Sequence, residues 1–181
     1  MKLILGLAGE AASGKGAVSK YLQEKYGAKC YRFSDFLRAT LGVWHLETSR
    51  ENLAKLSLIM RQGFGEDVFS KALSREISKS EGEIFVFDGI RRISDIEYIK
   101  TIEGFKFVYV ETSLKKRYER IIERGENVDE SGKTFEQFKK DHELETEVGI
   151  RDLKKHADIV IENNGTLEYL YEQIDDLVKD A

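Results

Sequence analysis

The chain has 181 residues, of which 34% are charged and 41% hydrophobic, and its formal net charge is −4. This length predicts one domain with a single core. The acidic balance argues against a nucleic-acid-binding protein that works through a broadly basic face, and no apolar run approaches the length of a membrane-spanning helix. The one cysteine cannot form an internal disulfide, so we expect a reducing, cytoplasmic location.

The first predicted element is an apolar strand at residues 2–7, followed after a short loop by a helical pattern at residues 16–26. The loop reads Gly-Glu-Ala-Ala-Ser-Gly-Lys, which matches the GxxxxGK pattern of a phosphate-binding P-loop. Its small side chains allow backbone N–H groups to converge on phosphate oxygens at a helix N-terminus. The residues predicted to bind ATP here are Gly9, Ala11, Ala12, Ser13, Gly14, Lys15, Gly16 and Ala17.

The residues after the P-loop lysine depart from the usual pattern. Ser or Thr normally follows the lysine and supplies a hydroxyl to Mg²⁺, whereas this chain has Gly16 and Ala17. The sequence therefore leaves open how Mg²⁺ is held.

Short apolar, β-branched or aromatic runs alternate with helical patterns along the whole chain. The predicted strands lie at residues 2–7, 28–33, 83–87, 105–110 and 157–162. This alternation predicts an α/β fold with a five-stranded parallel sheet covered by helices on both faces. Because ligands bind beyond the carboxyl ends of such strands, we expect the P-loop, Asp88 and the turn at residues 163–165 to meet at one crevice.

Two features flank the third predicted strand. Residues 34–82 contain only helical patterns and form a helical insertion before it. Asp88 ends this buried strand, which is the usual place for the carboxylate that orients Mg²⁺ or its waters in P-loop enzymes. Asp88 is therefore the candidate magnesium residue.

A basic helix is predicted from Leu114 to Arg124, after the fourth strand. Arg120 and Arg124 are four residues apart and so share one helical face. We interpret Arg117, on the same helix, as a solvated charge. The polar run at residues 125–133 lacks apolar anchors and predicts a mobile loop.

Three further motifs follow the predicted strands in order. They are Ser-Asp-Phe-Leu-Arg-Ala at residues 34–39, Asp-Gly-Ile-Arg-Arg at residues 88–92 and Arg-Ile-Ile-Glu-Arg at residues 120–124. With the P-loop, this ordered set resembles the P-loop nucleoside monophosphate kinases of the adenylate kinase type, which include deoxynucleoside monophosphate kinases. The resemblance implies a three-layer P-loop NTPase fold of one domain, with residues 34–82 as an acceptor-binding insertion and residues 120–137 as a lid.

The resemblance also implies which residues bind the acceptor phosphate. It assigns this role to Arg38 and to one arginine of the pair Arg91 and Arg92. The family motif usually reads Asp-Gly-Phe-Pro-Arg, which matches Arg92 by position. Because the proline is missing here, the choice between the two arginines stays open.

For the donor nucleotide, the resemblance implies that Arg120 and Arg124 belong to the lid that closes over the triphosphate. It implies that Asp35 and Asp88 act through magnesium-bound waters. The segment at residues 156–167 is similar to the closing strand and turn of dephospho-coenzyme A kinases. This similarity places Asn164 and Gly165 beside the adenine.

The predicted function is ATP- and Mg²⁺-dependent transfer of the γ-phosphate to a small-molecule nucleotide acceptor, a nucleoside or deoxynucleoside monophosphate. No nucleic-acid or membrane partner is expected, and the oligomeric state is not predicted. One alternative is a dephospho-coenzyme A kinase-like enzyme, whose hydroxyl acceptor needs a general base such as Asp35 or Asp88. The other is a catalytically silent nucleotide-binding regulatory module, suggested by the missing hydroxyl at Gly16 and Ala17.

Overall fold

The computed structural model describes residues 2–124, 134–143 and 145–180, and the statements below concern that part of the chain. Its strands and helices alternate as the sequence predicts. In chain order they are β1 (Leu3–Ala8), α1 (Lys15–Tyr26), β2 (Lys29–Arg32), α2 (Phe33–Val43), α3 (Arg50–Phe64), α4 (Val68–Lys79), β3 (Ile84–Asp88), α5 (Ser94–Glu97), a 3-10 turn (Ile99–Thr101), β4 (Phe105–Glu111), α6 (Leu114–Arg124), α7 (Phe135–His142), α8 (Glu145–Asp152), a second 3-10 turn (Leu153–His156), β5 (Ile159–Glu162) and α9 (Leu167–Lys179).

The five strands form one parallel sheet in the order β2-β3-β1-β4-β5. This arrangement confirms the predicted five-stranded parallel sheet. The central strand, β1, runs directly into the P-loop and pairs with β3 on one side and β4 on the other. The register places Leu7 of β1 beside Asp88 of β3, so the acid lies at the strand end next to the P-loop.

Successive strand residues point to opposite faces of the sheet, and both faces are covered. Phe85 and Phe87 of β3 pack in one core cluster, which includes apolar residues of α2 and α4. Val86, between them, packs in a second cluster with residues of α1 and α9. This two-sided burial explains why the strand sequence is apolar throughout rather than alternating.

The segment between β2 and β3 is helical, as predicted, and consists of α2, α3 and α4. Helix α4 contributes Phe69, Leu73 and Ile77 to the core. Helix α3 differs, because the only buried side chain described on it is a charged one, Arg61. Among the helices described, none combines the length and the apolar character needed to cross a membrane.

Candidate functional site

The backbone of the P-loop contains three residues with positive φ. Gly9 and Gly14 have φ values of +147° and +103°, and Ala12 also has a positive φ, +59°. Helix α1 begins at Lys15, with no side-chain cap and no acidic residue in its first turn. Its N-terminal N–H groups therefore face no competing carboxylate from their own helix and are suited to an anion. The loop residues present thus fit a nucleotide phosphate.

The lysine of the loop lies against the loop itself. Lys15 Nζ donates hydrogen bonds to the carbonyl oxygens of Gly9 and Glu10, at 2.7 and 3.0 Å. These contacts place the ammonium group at the start of the loop, where it adds a positive charge to the helix N-terminus. The predicted contact of Lys15 with the outer phosphates stays a prediction.

Two arginines of α6 contact the next three carbonyl oxygens of the loop, those of Ala11, Ala12 and Ser13. Arg117 Nη1 lies 3.4 Å from the oxygen of Ala11, and Arg120 Nη1 lies 3.5 and 3.4 Å from those of Ala12 and Ser13. Arg117 is 2% exposed, so its interpretation as a solvated charge is wrong. Its partners include the Ala11 carbonyl and the Glu10 carboxylate of the loop, which are distant in sequence and which helix periodicity does not show. Burial lowers the pKa of Arg120.

The turn after β5 is tied to the same loop. Asn163 is 3% exposed, and its Nδ2 donates to the Ser13 oxygen at 2.8 Å, while its own carbonyl accepts from Arg120 Nη2 at 2.9 Å. Thr112 Oγ1 also donates to the Ser13 oxygen, at 2.8 Å. The neighbouring Asn164 accepts the Ser113 N–H through Oδ1 at 2.8 Å. The structure thus brings the predicted turn to the P-loop, with Asn163 as the connecting side chain.

A second charge, the carboxylate of Glu10, lies within the loop but is turned toward basic groups. Its oxygens lie 3.2 Å from Arg117 Nη2, 2.9 Å from His142 Nδ1 and 3.7 Å from Arg151 Nε. Burial, together with the charges of Arg117 and Arg151, lowers the pKa of His142 to about 4. The imidazole is therefore neutral at physiological pH, and the two guanidinium groups supply the positive charge opposite Glu10.

The two candidate acids differ in their surroundings. Asp35 Oδ2 accepts the Arg32 N–H at 3.2 Å and so caps the start of α2. Asp88 has a side chain 15% exposed and lies 3.7 Å from Arg32 Nε, a distance too long for a hydrogen bond. Asp88 is therefore the freer of the two to orient Mg²⁺ or its waters, whereas Asp35 has a local structural role.

The described residues contain no group of three or more His, Cys, Asp or Glu side chains that could enclose a metal ion. Mg²⁺ is usually held by one or two carboxylates together with substrate phosphates and waters. The single carboxylate of Asp88, close to the P-loop, fits this arrangement. Asp88 would hold the ion or its waters without a closed protein cage.

The arginines predicted to bind the acceptor are solvent-exposed. Arg38 lies on α2, and Arg91 and Arg92 follow the carboxyl end of β3. Arg92 Nη1 is 3.4 Å from a Glu66 oxygen. The predicted lid at residues 120–137 is only partly described: the Arg124 side chain and residues 125–133 lie outside the described part.

Sequence reasoning missed several residues that the structure brings to the P-loop. Glu10, His142 and Arg151 were not selected, and Asn163 was predicted only as part of the turn at residues 163–165. One signal was present: a glutamate inside a phosphate-binding loop requires a counter-charge, and the basic residues around it belong to the region after β4. Which basic residues supply that charge is set by tertiary structure alone.

Comparison with known proteins identifies a matching family model and several similar proteins. A family model described as an AAA domain matches residues 8–139. The UPF0200 protein of Sulfurisphaera tokodaii is 32% identical over 177 residues, which cover 97% of this chain and 96% of the relative. A UPF0200 protein of Saccharolobus solfataricus is 31% identical over 170 residues, or 93% of this chain and 87% of the relative.

A solved structure shows the same fold. The crystal structure of TT1252 from Thermus thermophilus superposes with a TM-score of 0.65 and 18% identity, over 99% of this chain and 97% of that one. Together with the P-loop and the parallel sheet, these similarities establish an α/β fold of the P-loop NTPase type.

The contact between Gly14 and Asn163 gives a stability prediction. A Cβ at Gly14 would lie 2.0 Å from Asn163 Nδ2, whereas a Cβ at Gly16 would have no heavy atom within 4 Å. We expect Gly14→Ala to lower the free energy of unfolding by about 2–3 kcal/mol, because it adds left-handed backbone strain and displaces Asn163. Gly16→Ala is the matched control and should raise it slightly. Urea unfolding without nucleotide measures the stability of both variants. Equal stabilities would contradict the close approach of Gly14 to Asn163.

The pair of Glu10 and Arg117 gives a second prediction. A double-mutant cycle with Glu10→Gln and Arg117→Met should show a coupling of about 1–3 kcal/mol in urea unfolding, because both charges are largely buried. The exposed pair of Glu111 and Lys154, 2.6 Å apart, is the control and should couple by less than about 1 kcal/mol. A coupling energy between Glu10 and Arg117 no larger than that of the control pair would show that the buried pair stabilises the fold no more than an exposed pair does.

Proposed function

From the premise that the chain belongs to the AAA-domain and UPF0200 families, we propose that it is an ATP-dependent phosphotransferase. It transfers the γ-phosphate of ATP to a nucleoside or deoxynucleoside monophosphate in the presence of Mg²⁺. The observation that supports this most is the presence of two separate cationic groups at the carboxyl edge of one sheet. One is the P-loop with Lys15, and the other is the exposed arginine turn at Arg91 and Arg92.

The donor side is supported by the loop geometry. An uncapped helix N-terminus, a lysine and a loop with positive φ angles favour binding of a triphosphate. When bound, ATP supplies the phosphoryl group, and Mg²⁺ neutralises part of its charge. Lys15 would exchange its contacts with the carbonyls of Gly9 and Glu10 for phosphate oxygens.

The acceptor side is supported by the helical insertion. An apolar cavity of about 270 Å³ lies between α2, α3 and α4. Its lining includes Phe36, Leu37, Thr40, Met60, Val68 and Phe69. Arg38 lies next to this lining in the chain, and guanidinium groups suit phosphate because their planar donors bind two oxygens at once. An apolar cavity on the insertion that carries the exposed Arg38 is suited to a ligand with an apolar ring and an anionic group.

Phosphoryl transfer depends mainly on positioning and on charge neutralisation. A phosphate acceptor needs arginines and no strong base, whereas a hydroxyl acceptor needs a general base. Asp35 already caps α2, which leaves Asp88 as the base for a dephospho-coenzyme A kinase-like reaction. The three exposed arginines favour the phosphate acceptor over this alternative.

The direct test measures ATP consumption with each ribo- and deoxynucleoside monophosphate, and with dephospho-coenzyme A, as acceptor. We expect turnover with at least one monophosphate, and its loss in Lys15→Ala without unfolding, because this side chain contacts loop carbonyls that it would exchange for ligand phosphates and does not belong to the core. Turnover with dephospho-coenzyme A alone would favour the alternative enzyme. Turnover with none would remove support for a kinase.

Arg38 provides a prediction specific to the acceptor. Arg38→Ala should reduce kcat/KM for the acceptor by about thirty- to a thousandfold, equivalent to a lost charged hydrogen bond of about 2–4 kcal/mol. The Michaelis constant for ATP should change little. Arg75→Ala, which removes an exposed arginine of α4, is the control and should leave both constants unchanged. Weaker ATP binding with unchanged acceptor binding would show that the two sites are reversed.

Ala17 separates an active kinase from a silent nucleotide-binding module. Ala17→Thr adds a hydroxyl near the P-loop, and Ala17→Val adds similar bulk without one. If the wild type is an active kinase, Thr should change turnover and the Mg²⁺ requirement only a few-fold, since one neutral ligand contributes about 1 kcal/mol. If the wild type is silent, it should bind ATP without turnover, and Thr but not Val should restore turnover. Steady-state transfer across a Mg²⁺ titration distinguishes these outcomes.

A further inference from the structure

The backbone of the arginine turn is held by one buried carboxylate. Asp95, in the short helix α5, is 2% exposed. Its Oδ2 accepts the N–H groups of both Arg91 and Arg92, each at 3.1 Å. Two adjacent backbone donors on one oxygen fix the orientation of the peptide units that carry both side chains. The position of the two arginines at the end of β3 therefore depends on Asp95.

The other oxygen of Asp95 binds the helical insertion. Asp95 Oδ1 accepts a hydrogen bond of 2.6 Å from Arg61 Nη2, on α3. The two side chains are only 3% and 6% exposed, and the Arg61 guanidinium lies 4.9 Å from the Phe69 ring centroid. A buried carboxylate without such a partner is strongly unfavourable. Arg61 is thus the buried counter-charge that faces the Asp95 carboxylate.

Arg61 is also connected to the side chain of Arg92. Arg61 Nη1 donates to the backbone oxygen of Glu66 at 2.5 Å and lies 3.7 Å from its carboxylate. The same carboxylate lies 3.4 Å from Arg92 Nη1. Arg92 is therefore reached from Arg61 by two routes, through its backbone by Asp95 and through its guanidinium by Glu66.

A further contact joins the turn to α4. Ser70 is fully buried, and its Oγ donates to the backbone oxygen of Asp95 at 2.6 Å. The turn is thus bonded to two helices of the insertion, while the strand that precedes it belongs to the sheet. The arginine turn, α3 and α4 are therefore held in one hydrogen-bonded unit.

Stability alone is a poor explanation for this arrangement. A buried ion pair is often no more stabilising than apolar side chains of similar size, because both charges lose their hydration. Here the pairing is also incomplete, since Arg61 Nε is buried with no hydrogen-bond partner among the described residues. Asp95 accepts directional hydrogen bonds from two adjacent backbone amides, and apolar residues cannot accept such bonds.

We propose that Asp95 is a positioning residue for the acceptor phosphate, with Arg61 as its buried counter-charge. Asp95 holds the turn of Arg91 and Arg92 in a fixed relation to the helical insertion that carries Arg38. This inference rests on the proposed function, because it assumes that the turn binds a phosphate-bearing acceptor. Small displacements of the arginines that bind the acceptor phosphate would reduce phosphoryl transfer strongly, since the two substrates must be held in line.

The test compares two double variants that remove both buried charges. Arg61→Met with Asp95→Asn retains an oxygen that accepts the amide N–H groups, whereas Arg61→Met with Asp95→Leu does not. We expect the Leu variant to raise KM for the acceptor about ten- to a hundredfold relative to the Asn variant, because the turn is no longer held. KM for ATP should agree within about twofold between the two variants, since the P-loop contacts are unchanged.

Two further variants separate positioning from folding. Leu177→Ala truncates a buried residue of α9, in the other core cluster, and should reduce stability without changing KM for the acceptor. Arg61→Lys keeps the buried charge but cannot reproduce both guanidinium contacts, so it should raise KM for the acceptor even if the Leu variant does not fold. Calorimetric binding of the monophosphate should weaken in parallel with each increase in KM.

The outcomes are distinguishable. If the wild type neither binds nor phosphorylates any monophosphate, the proposed function is wrong and the role of Asp95 falls with it. If the wild type is active but the Asn and Leu double variants share the same acceptor KM, or Arg61→Lys leaves that KM unchanged, only the positioning role is wrong. If Leu177→Ala raises the acceptor KM by the same factor, the effect is general destabilisation, and the positioning role of Asp95 is again wrong.

Discussion

The P-loop imposes one constraint on which much of this structure depends. A loop that directs N–H groups toward a phosphate turns carbonyl oxygens the other way, and buried carbonyls require donors. Here side chains supply them. Lys15 binds the oxygens at the start of the loop, and Arg117, Arg120 and Asn163 bind those that follow. The orientation of α6 and the turn after β5 therefore follow from the need to satisfy the outer side of the loop.

Glu10 modifies the electrostatics of this arrangement. A carboxylate within the loop would oppose a bound triphosphate if it faced the same side as the N–H groups. Its oxygens instead lie near Arg117 and Arg151, so its charge is balanced within the protein. The same arginine, Arg117, serves both the carbonyl of Ala11 and the Glu10 carboxylate. Arg117 and Arg151 thus balance the charge of the loop's own carboxylate, and Lys15 and the N-terminus of α1 add positive charge on the side of the loop suited to phosphate.

Sequence reasoning located the sheet well because its signal is local. The predicted strand at residues 83–87 is found at Ile84–Asp88, since apolar β-branched and aromatic residues favour a strand buried on both faces. The contacts of charged side chains were not predictable in this way. Arg117 meets Ala11, and Arg61 meets Asp95, across sequence separations of 106 and 34 residues. Helix periodicity tells which residues share a face, but not what that face packs against.

The two ionic networks are separate, and this has a mechanistic consequence. The network of Asp95 and Arg61 joins the arginine turn to α3, whereas that of Glu10 joins the P-loop to α6, α7 and α8. The two networks are connected through the sheet, because β1 and β3 are adjacent strands and Leu7 pairs with Asp88 near their ends. An in-line reaction needs both substrates to be fixed relative to each other. In the proposed reaction, the adjacent strands β1 and β3 would meet that need, because each strand leads into one of the two networks and Asp88 ends β3 beside Leu7 of β1.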